Sequence, residues 1–294
     1  MAMTRRQCLA ETATAAAGLV LGTRVVRGEE ATSRPGRRKD LRLAMCDWSM
    51  GRMDPSAFGL AKEIGLQGVQ VSLGTAANGM WLRRREIQEQ YRQAVRESGL
   101  AICSLAIAEL NNVPLMSEPR AAVWVADAIE VAREMKVARI LLAFFGKGEL
   151  REENETDMRR VTEVLQELAP RAEKAGVVLA IESYLSAEGH LKILDAVKSK
   201  AVQVYYDFYN SHVTKGYDFA REVRLLGRDR ICEVHLKEGR HLLGAGQLDW
   251  PGVAAVLREI GYEGWIVLET SSPSGDMAAD TRRNAAYARK LFAA

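Results

Sequence analysis

From Leu41 to the end of the chain, short apolar runs and longer stretches with apolar residues three and four apart alternate eight times. Few chain topologies accommodate that rhythm. The strand candidates are Leu41 to Trp48, Gly68 to Leu73, Ala101 to Glu109, Ala138 to Phe145, Val177 to Ser183, Val202 to Tyr209, Ile231 to Lys237 and Gly264 to Thr270. The helical patterns cover Pro55 to Ile64, Leu82 to Ser98, Ala121 to Lys136, Asp157 to Ala175, Leu191 to Ser199, Phe219 to Leu226, Pro251 to Ile260 and Met277 to Phe292. Asp54-Pro55 and Asp249-Trp250-Pro251 read as helix starts, and Gly65, Gly99, Gly176, Gly227 and Gly261 fall where helices stop. The strand runs are continuous in Val, Ile, Leu and Ala, as expected when both faces of a strand are covered. The chain is therefore expected to be α/β, with a single-domain (β/α)₈ TIM barrel over residues 40–294; an open doubly wound sheet is the rival topology. No composition shift or long linker marks a second domain.

Residues 1–39 read differently. Thr4-Arg5-Arg6-Gln7-Cys8-Leu9 precedes a small apolar stretch, Ala13 to Gly22, and a basic run, Arg34 to Lys39, which together resemble a twin-arginine export signal. The apolar stretch is too short for a membrane span, which needs roughly 20 residues. Export to the periplasm and no stable membrane insertion are the expectations; a disordered basic arm is the alternative. Taking eight basic and three acidic side chains out of 41 and 38 leaves 33 and 35, a formal charge of −2, so no basic face for nucleic acid remains. Cys46, Cys103 and Cys232 sit in three different strand runs, which argues against a disulfide framework and for buried apolar cysteines.

In the second half, four strand runs end in a metal-binding side chain: Glu182, Asp207, His235 and Glu269. A charged group closing a buried run is costly unless something pairs with it. In a barrel, the carboxyl ends of consecutive strands five to eight aim these four side chains at one mouth. Three carboxylates and an imidazole suit Mn²⁺, Mg²⁺ or Co²⁺, with Zn²⁺ also compatible. Without an ion, the carboxylates are expected to repel and raise one another's pKa. Lys237 shares strand parity with His235, so it either points into the same mouth or pairs with a neighbouring carboxylate. Trp48, Trp81, Phe144, Phe145 and Tyr209 are candidate flat apolar faces near the mouth, each with a core or lid role as the alternative. His212 and His241 read as exposed loop residues and His190 as the start of a helix.

Over Leu41 to Phe292 the chain resembles the sugar phosphate isomerase/epimerase superfamily of xylose isomerase-like barrels, and within it ketose 3-epimerases and inosose dehydratases. The segments that carry this are His235-Leu-Lys-Glu-Gly-Arg240, Leu243-Gly-Ala-Gly-Gln-Leu-Asp-Trp250 and Gly261-Tyr-Glu-Gly-Trp-Ile-Val-Leu-Glu269. The resemblance implies Glu182, Asp207, His235 and Glu269 as metal ligands, with Glu182 and Glu269 as the two catalytic bases. It also implies Arg240 on substrate oxygens and Glu188 as a supporting glutamate. Asn210 stands where the family often has a histidine, Gln70 where a glutamate is common, and Ala245 where an acidic residue is usual.

The implied activity is metal-dependent isomerisation or epimerisation of a sugar through an enediolate. Dehydration of a keto-polyol such as an inosose, or carbohydrate binding without turnover, are the alternatives. Substrate contacts are expected from Arg240, Lys237, Glu188, Asn210 and Trp48. The implied partner is a small-molecule carbohydrate or polyol, with a homo-oligomer allowed. An apurinic endonuclease, which shares this barrel, needs a histidine-rich three-metal cluster, and this chain has only four histidines.

Overall fold

The computed structural model describes residues 42–293, so the leader read at residues 1–39 lies outside the described residues. Among the described residues there are eight strands: β1 (Arg42–Cys46), β2 (Gly68–Ser72), β3 (Ala101–Ile107), β4 (Arg139–Phe144), β5 (Val178–Ser183), β6 (Val202–Asp207), β7 (Ile231–Leu236) and β8 (Trp265–Leu268). All pair in parallel with their sequence neighbours, and β8 closes on β1. The open-sheet rival is excluded by that closure.

The helices are α1 (Ala57–Ile64), α2 (Arg85–Ser98), α3 (Pro119–Met135), α4 (Glu155–Ala175), α5 (Ala187–Val197), α6 (Phe219–Leu226), α7 (Trp250–Glu259) and α8 (Met277–Ala293). Side-chain caps set several starts: Asn154, Ser186, Asp218 and Asp249 each accept from a backbone N–H of the first turn. The helix expected from Leu82 is shorter than its periodicity suggests. Trp81–Arg83 form a 3-10 turn, and Arg84 is extended before α2 begins. Asn78 holds this corner, its Oδ1 accepting from Thr75 N and Trp81 N.

Two apolar layers hold the barrel. The larger lies between strands and helices and includes Val69, Val71, Ile140, Leu142, Ile181, Val204 and Val234. Phe144 belongs to it and is fully buried, which corrects the expectation that this ring faces the mouth. The smaller fills the barrel itself, with Ala44, Cys46, Cys103, Leu141, Ala143, Ala180, Tyr205, Trp265 and Val267. Trp265 packs so close to β2 that a Cβ at Gly68 would lie 2.9 Å from its ring. Only glycine fits there. Cys46, Cys103 and Cys232 are buried and unbridged, as their spacing suggests. Among the described residues no helix is long and apolar enough to cross a membrane.

Candidate metal centre

Residues of one parity on each strand point into the barrel, and the last such residues on β5, β6 and β7 are Glu182, Asp207 and His235. Register aligns them: Asp207 pairs with His235 across β6 and β7, and Glu269 follows β8, its N–H donating to Leu236 O at 3.0 Å. One ligand atom from each of Glu182, Asp207, His235 and Glu269 lies within 4.8 Å of the others. The spatial convergence expected from the strand ends is therefore present.

The imidazole decides how this cup is used. Gln70 Nε2 donates to Ser104 Oγ at 3.0 Å, which turns Gln70 Oε1 toward His235 Nε2, 2.9 Å away. With Nε2 as the donor, Nδ1 of a neutral ring is a lone pair. That atom lies 2.9 Å from Glu182 Oε1, 3.6 Å from Glu269 Oε2 and 3.9 Å from Asp207 Oδ2. Four electron-rich atoms thus face one another, and a cation among them removes the conflict. Lys237 supplies part of the charge, with Nζ 3.0 Å from Asp207 Oδ2 and 2.9 Å from Glu269 Oε2. Three carboxylates less one ammonium leave two negative charges, which match a divalent ion. Asp207 Oδ2 also accepts no well-formed hydrogen bond. The donor set fits Mn²⁺, Mg²⁺ or Co²⁺.

The carboxylates do not all behave as the sequence suggests. Burial pushes Glu182 above the usual carboxylate range, with Glu269 adding to it and His235 opposing. Glu269 is half-buried, and the charges of His235 and Lys237 outweigh the desolvation and hold it below its ordinary value. For His235, burial favours the neutral ring, and the Glu182 and Glu269 charges overcome it and raise its pKa, so that a proton on Nδ1 or a metal ion in its place relieves the same conflict. Mutual repulsion is thus relieved at Glu269 by His235 and then by the lysine, a compensation the strand-end pattern alone does not reveal. The His235 ring stacks at a tilt on Tyr205, centroids 4.4 Å apart, and meets Trp48 edge-on at 6.3 Å.

The other candidate residues divide. Trp48 donates through Nε1 to Glu269 Oε1 at 3.2 Å, so it belongs to the cup. Asn210 is buried in the π-helical turn Tyr209–Thr214, and its N–H donates to Asp207 Oδ1 at 2.8 Å. Arg240 is exposed in the loop after β7, where it lines a separate cavity with Tyr209, His241 and Gln247. Glu188 lies elsewhere, in the first turn of α5, where it pairs with Arg221 and lines neither cavity. His212 is half-buried, bonded through Nδ1 to Tyr217 O, rather than an exposed loop residue. His190 is in the first turn of α5 as expected, but buried, with Nε2 3.0 Å from Ser183 Oγ.

A cavity of about 600 Å³ opens from the cup toward β1 to β4. Trp48, Trp81 and Phe145 give it apolar walls, and Glu182 and Glu269 lie at its base. Glu109 and Asn111 also line it, and sequence reasoning passed over both. The signal was present at Glu109, an acidic residue closing the β3 run, like those that mark the four ligands.

Relatives agree with this architecture. A curated 2-epi-5-epi-valiolone 7-phosphate 2-epimerase from Actinoplanes sp. is 28% identical over 216 residues, 70% of this chain and 78% of that protein. A D-psicose 3-epimerase from Enterocloster bolteae is 30% identical over 122 residues, 38% of this chain and 40% of that protein. The crystal structure of D-psicose 3-epimerase with D-tagatose from Clostridium cellulolyticum superposes with a TM-score of 0.73 at 15% identity, covering 86% of this chain and 99% of that one. The 3-keto-D-glucoside 4-epimerase of E. coli does so with a TM-score of 0.68 at 18% identity, covering 85% and 99%. At those identities the structural likeness shows the fold alone. A family model described as xylose isomerase-like TIM barrel matches residues 58–291. With the closed eight-stranded barrel and a match over most of its length, the chain belongs to the xylose isomerase-like TIM barrel family.

Proposed function

We propose that this protein is a divalent-metal-dependent isomerase or epimerase of a sugar or sugar derivative, working through an enediolate. The observation that carries the reading is the cup itself: Glu182, Asp207, His235 and Glu269 within 4.8 Å of one another, with the imidazole lone pair turned inward by Gln70. The sugar-epimerase names of the curated relatives support it.

When bound, the ion supplies a Lewis acid that stabilises negative charge developing on a substrate carbonyl. The protein does the rest. Glu182 on β5 and Glu269 after β8 flank the cup, so each reaches a substrate carbon from a different side. Glu269 is clamped by Lys237 Nζ at Oε2 and by Trp48 Nε1 at Oε1, whereas Glu182 Oε1 faces the His235 Nδ1 lone pair at 2.9 Å, where both would share the ion. One carboxylate takes the proton next to the carbonyl and the other returns it to the opposite face, which inverts that carbon. Trp48, Trp81 and Phe145 keep water from the reacting carbon and offer flat surfaces to C–H groups.

The test is proton exchange. Protein incubated with Mn²⁺ and a panel of ketoses and inososes in heavy water should incorporate deuterium next to the carbonyl, and Glu182→Gln and Glu269→Gln should each abolish it. Exchange that survives both substitutions excludes these bases, and sugar binding without exchange favours a non-catalytic binder. Export is part of the proposal: Arg5-Arg6 and the stretch Ala13 to Gly22 would send the folded, metal-loaded chain to the periplasm. Cell fractionation with Arg5→Lys and Arg6→Lys together should then retain it in the cytoplasm; unchanged fractionation would refute this route.

A further inference from the structure

The cavity beyond the cup has a one-sided electrical character. Its lining includes three carboxylates, Glu109, Glu182 and Glu269, and among the described residues neither lysine nor arginine. Lys237, beside the cup, is engaged by Asp207 and Glu269. Glu109 is half-buried, and its carboxylate has no hydrogen bond or ion pair among the described residues. A partly desolvated carboxylate without a partner waits for donors from elsewhere.

Glu109 shares the 3-10 turn Ala108–Asn111 with Asn111. Asn111 Oδ1 accepts from Phe145 N at 2.9 Å, which fixes the amide and leaves its N–H donors without a partner among the described residues. The loop after β4 braces this turn. A Cβ at Gly148 would meet Leu110 O at 2.3 Å, so the two backbones touch as closely as glycine permits. The turn thus holds an acceptor and a donor at fixed positions on the cavity wall. Sugar hydroxyls are both donors and acceptors, and neighbouring ones can satisfy such a pair together. A phosphate is an acceptor-only dianion; beside Glu109 it would find no lysine or arginine on the cavity wall to offset the repulsion.

We propose that Glu109 and Asn111 form a specificity subsite that selects an uncharged polyhydroxylated substrate, such as a free ketose, a keto-polyol or a glycoside, and rejects its phosphate ester. The inference rests on the proposed function and deepens it by naming the substrate class of the same site. It separates this chain from its Actinoplanes relative, whose name carries a 7-phosphate. Arg240, exposed and outside this cavity, is the anchor a phosphate would need instead, so it enters the test.

Calorimetric titration of the Mn²⁺-loaded protein with free ketoses, inososes and methyl glycosides, each beside its phosphate ester, reads binding without turnover. The uncharged member of a pair should bind more tightly. Glu109→Gln should weaken it about ten- to a hundredfold, narrow the gap to the ester and leave Mn²⁺ affinity unchanged. With any ligand that is turned over, KM should rise by more than kcat falls. Tighter binding of the esters, whether or not Arg240→Gln removes it, overturns the subsite. An unchanged pair ratio in Glu109→Gln also overturns it, as does failure of every uncharged ligand to bind. Titration needs no proton transfer, so the expected binding pattern without deuterium exchange would sink the catalytic reading and leave the subsite standing.

Discussion

Gln70 is the residue on which the metal cup turns, although it touches none of the carboxylates. It accepts from His235 Nε2 at 2.9 Å and from Cys46 Sγ at 3.1 Å, and donates to Ser104 Oγ at 3.0 Å. Gln70→Leu keeps the volume and removes all three bonds. Loss of the partner that fixes a ligating histidine costs about 10–100-fold in metal affinity. Consider a loss of about thirtyfold, measured at an ion concentration about 100 times the unmodified protein's Kd. Ligand stabilisation, RT ln(1 + [L]/Kd), then falls from about 2.7 kcal/mol to about 0.9 kcal/mol. At roughly 2–4 °C per kcal/mol for a domain of this size, the rise in Tm on adding Mn²⁺ should shrink from about 5–11 °C to about 2–4 °C. Gln70→Glu restores an acceptor for His235 Nε2, and Ser104 can donate to the new carboxylate, so this variant should keep the full increment. The assay is thermal unfolding with and without Mn²⁺, backed by direct titration of the ion. A Gln70→Leu protein that binds Mn²⁺ as tightly as the parent would refute the role of the tautomer.

Three further outcomes are expected. Glu233 is buried inside the barrel with neither carboxylate oxygen in a well-formed hydrogen bond, and burial, only partly offset by Arg139, pushes its pKa from 4.5 to about 7. A raised carboxyl favours the protonated folded state, so its stabilising contribution is full below pH 4.5 and is lost as pH rises through 7, by about 3 kcal/mol. Urea midpoints at pH 5 and pH 8 should therefore differ less in Glu233→Gln than in the parent, and an equal difference would remove the argument. Glu238 caps the loop after β7, accepting from Gln247 N at 2.8 Å, Leu248 N at 3.0 Å and the Trp250 indole. Glu238→Ala orphans these buried donors and should cost about 3 kcal/mol in equilibrium unfolding. Glu188→Ala removes only a solvent-screened pair with Arg221, so Tm, Mn²⁺ affinity and kcat/KM should stay near those of the parent; a fall in kcat/KM would return Glu188 to the site.

The barrel is legible in the sequence because its strands are buried on both faces and its helices on one, which gives two different apolar periods in strict alternation. What escapes the pattern is held by particular side chains. The break before α2 depends on Asn78 gripping the Thr75 to Trp81 corner, and the π-helical turn after β6 on Asp207 accepting from Asn210 N. Neither leaves a periodic trace. The four candidate ligands are legible because ionisable groups at the ends of apolar runs stand out. Yet Asp47 ends the β1 run in the same way and serves another purpose, since its oxygens accept from Ser72 N and Ser72 Oγ, both at 2.7 Å, and tie β1 to β2. Glu109 ends the β3 run and faces the cavity. Local sequence does not separate these outcomes, because the difference is set by register and by the residue across the barrel. The bond from Gln70 to His235 spans 165 residues and is visible only after the barrel closes.

The halves of the barrel divide the work. Strands β5 to β8 carry the ionisable interior: Glu182, Tyr205, Asp207, Glu233 and His235 lie inside it, and Glu269 completes the mouth. Strands β1 to β4 contribute mainly small or apolar inward residues, among them Ala44, Cys46, Cys103, Leu141 and Ala143, so space opens on that side and the cavity forms there. Charge on one side and room on the other would let the proposed ion and substrate lie next to each other without either occupying the other's volume. The loops that shape the cavity come after β1 to β4, and three of the four ligands are fixed by strand register. Changes around Glu109, Asn111 and Trp81 can therefore alter which sugar fits while the ligand geometry persists. The same division explains why the cup tolerates a glutamine at residue 70, on the roomy half: this side chain directs one imidazole across the barrel, and an amide held by Ser104 does that without adding another negative charge beside three carboxylates.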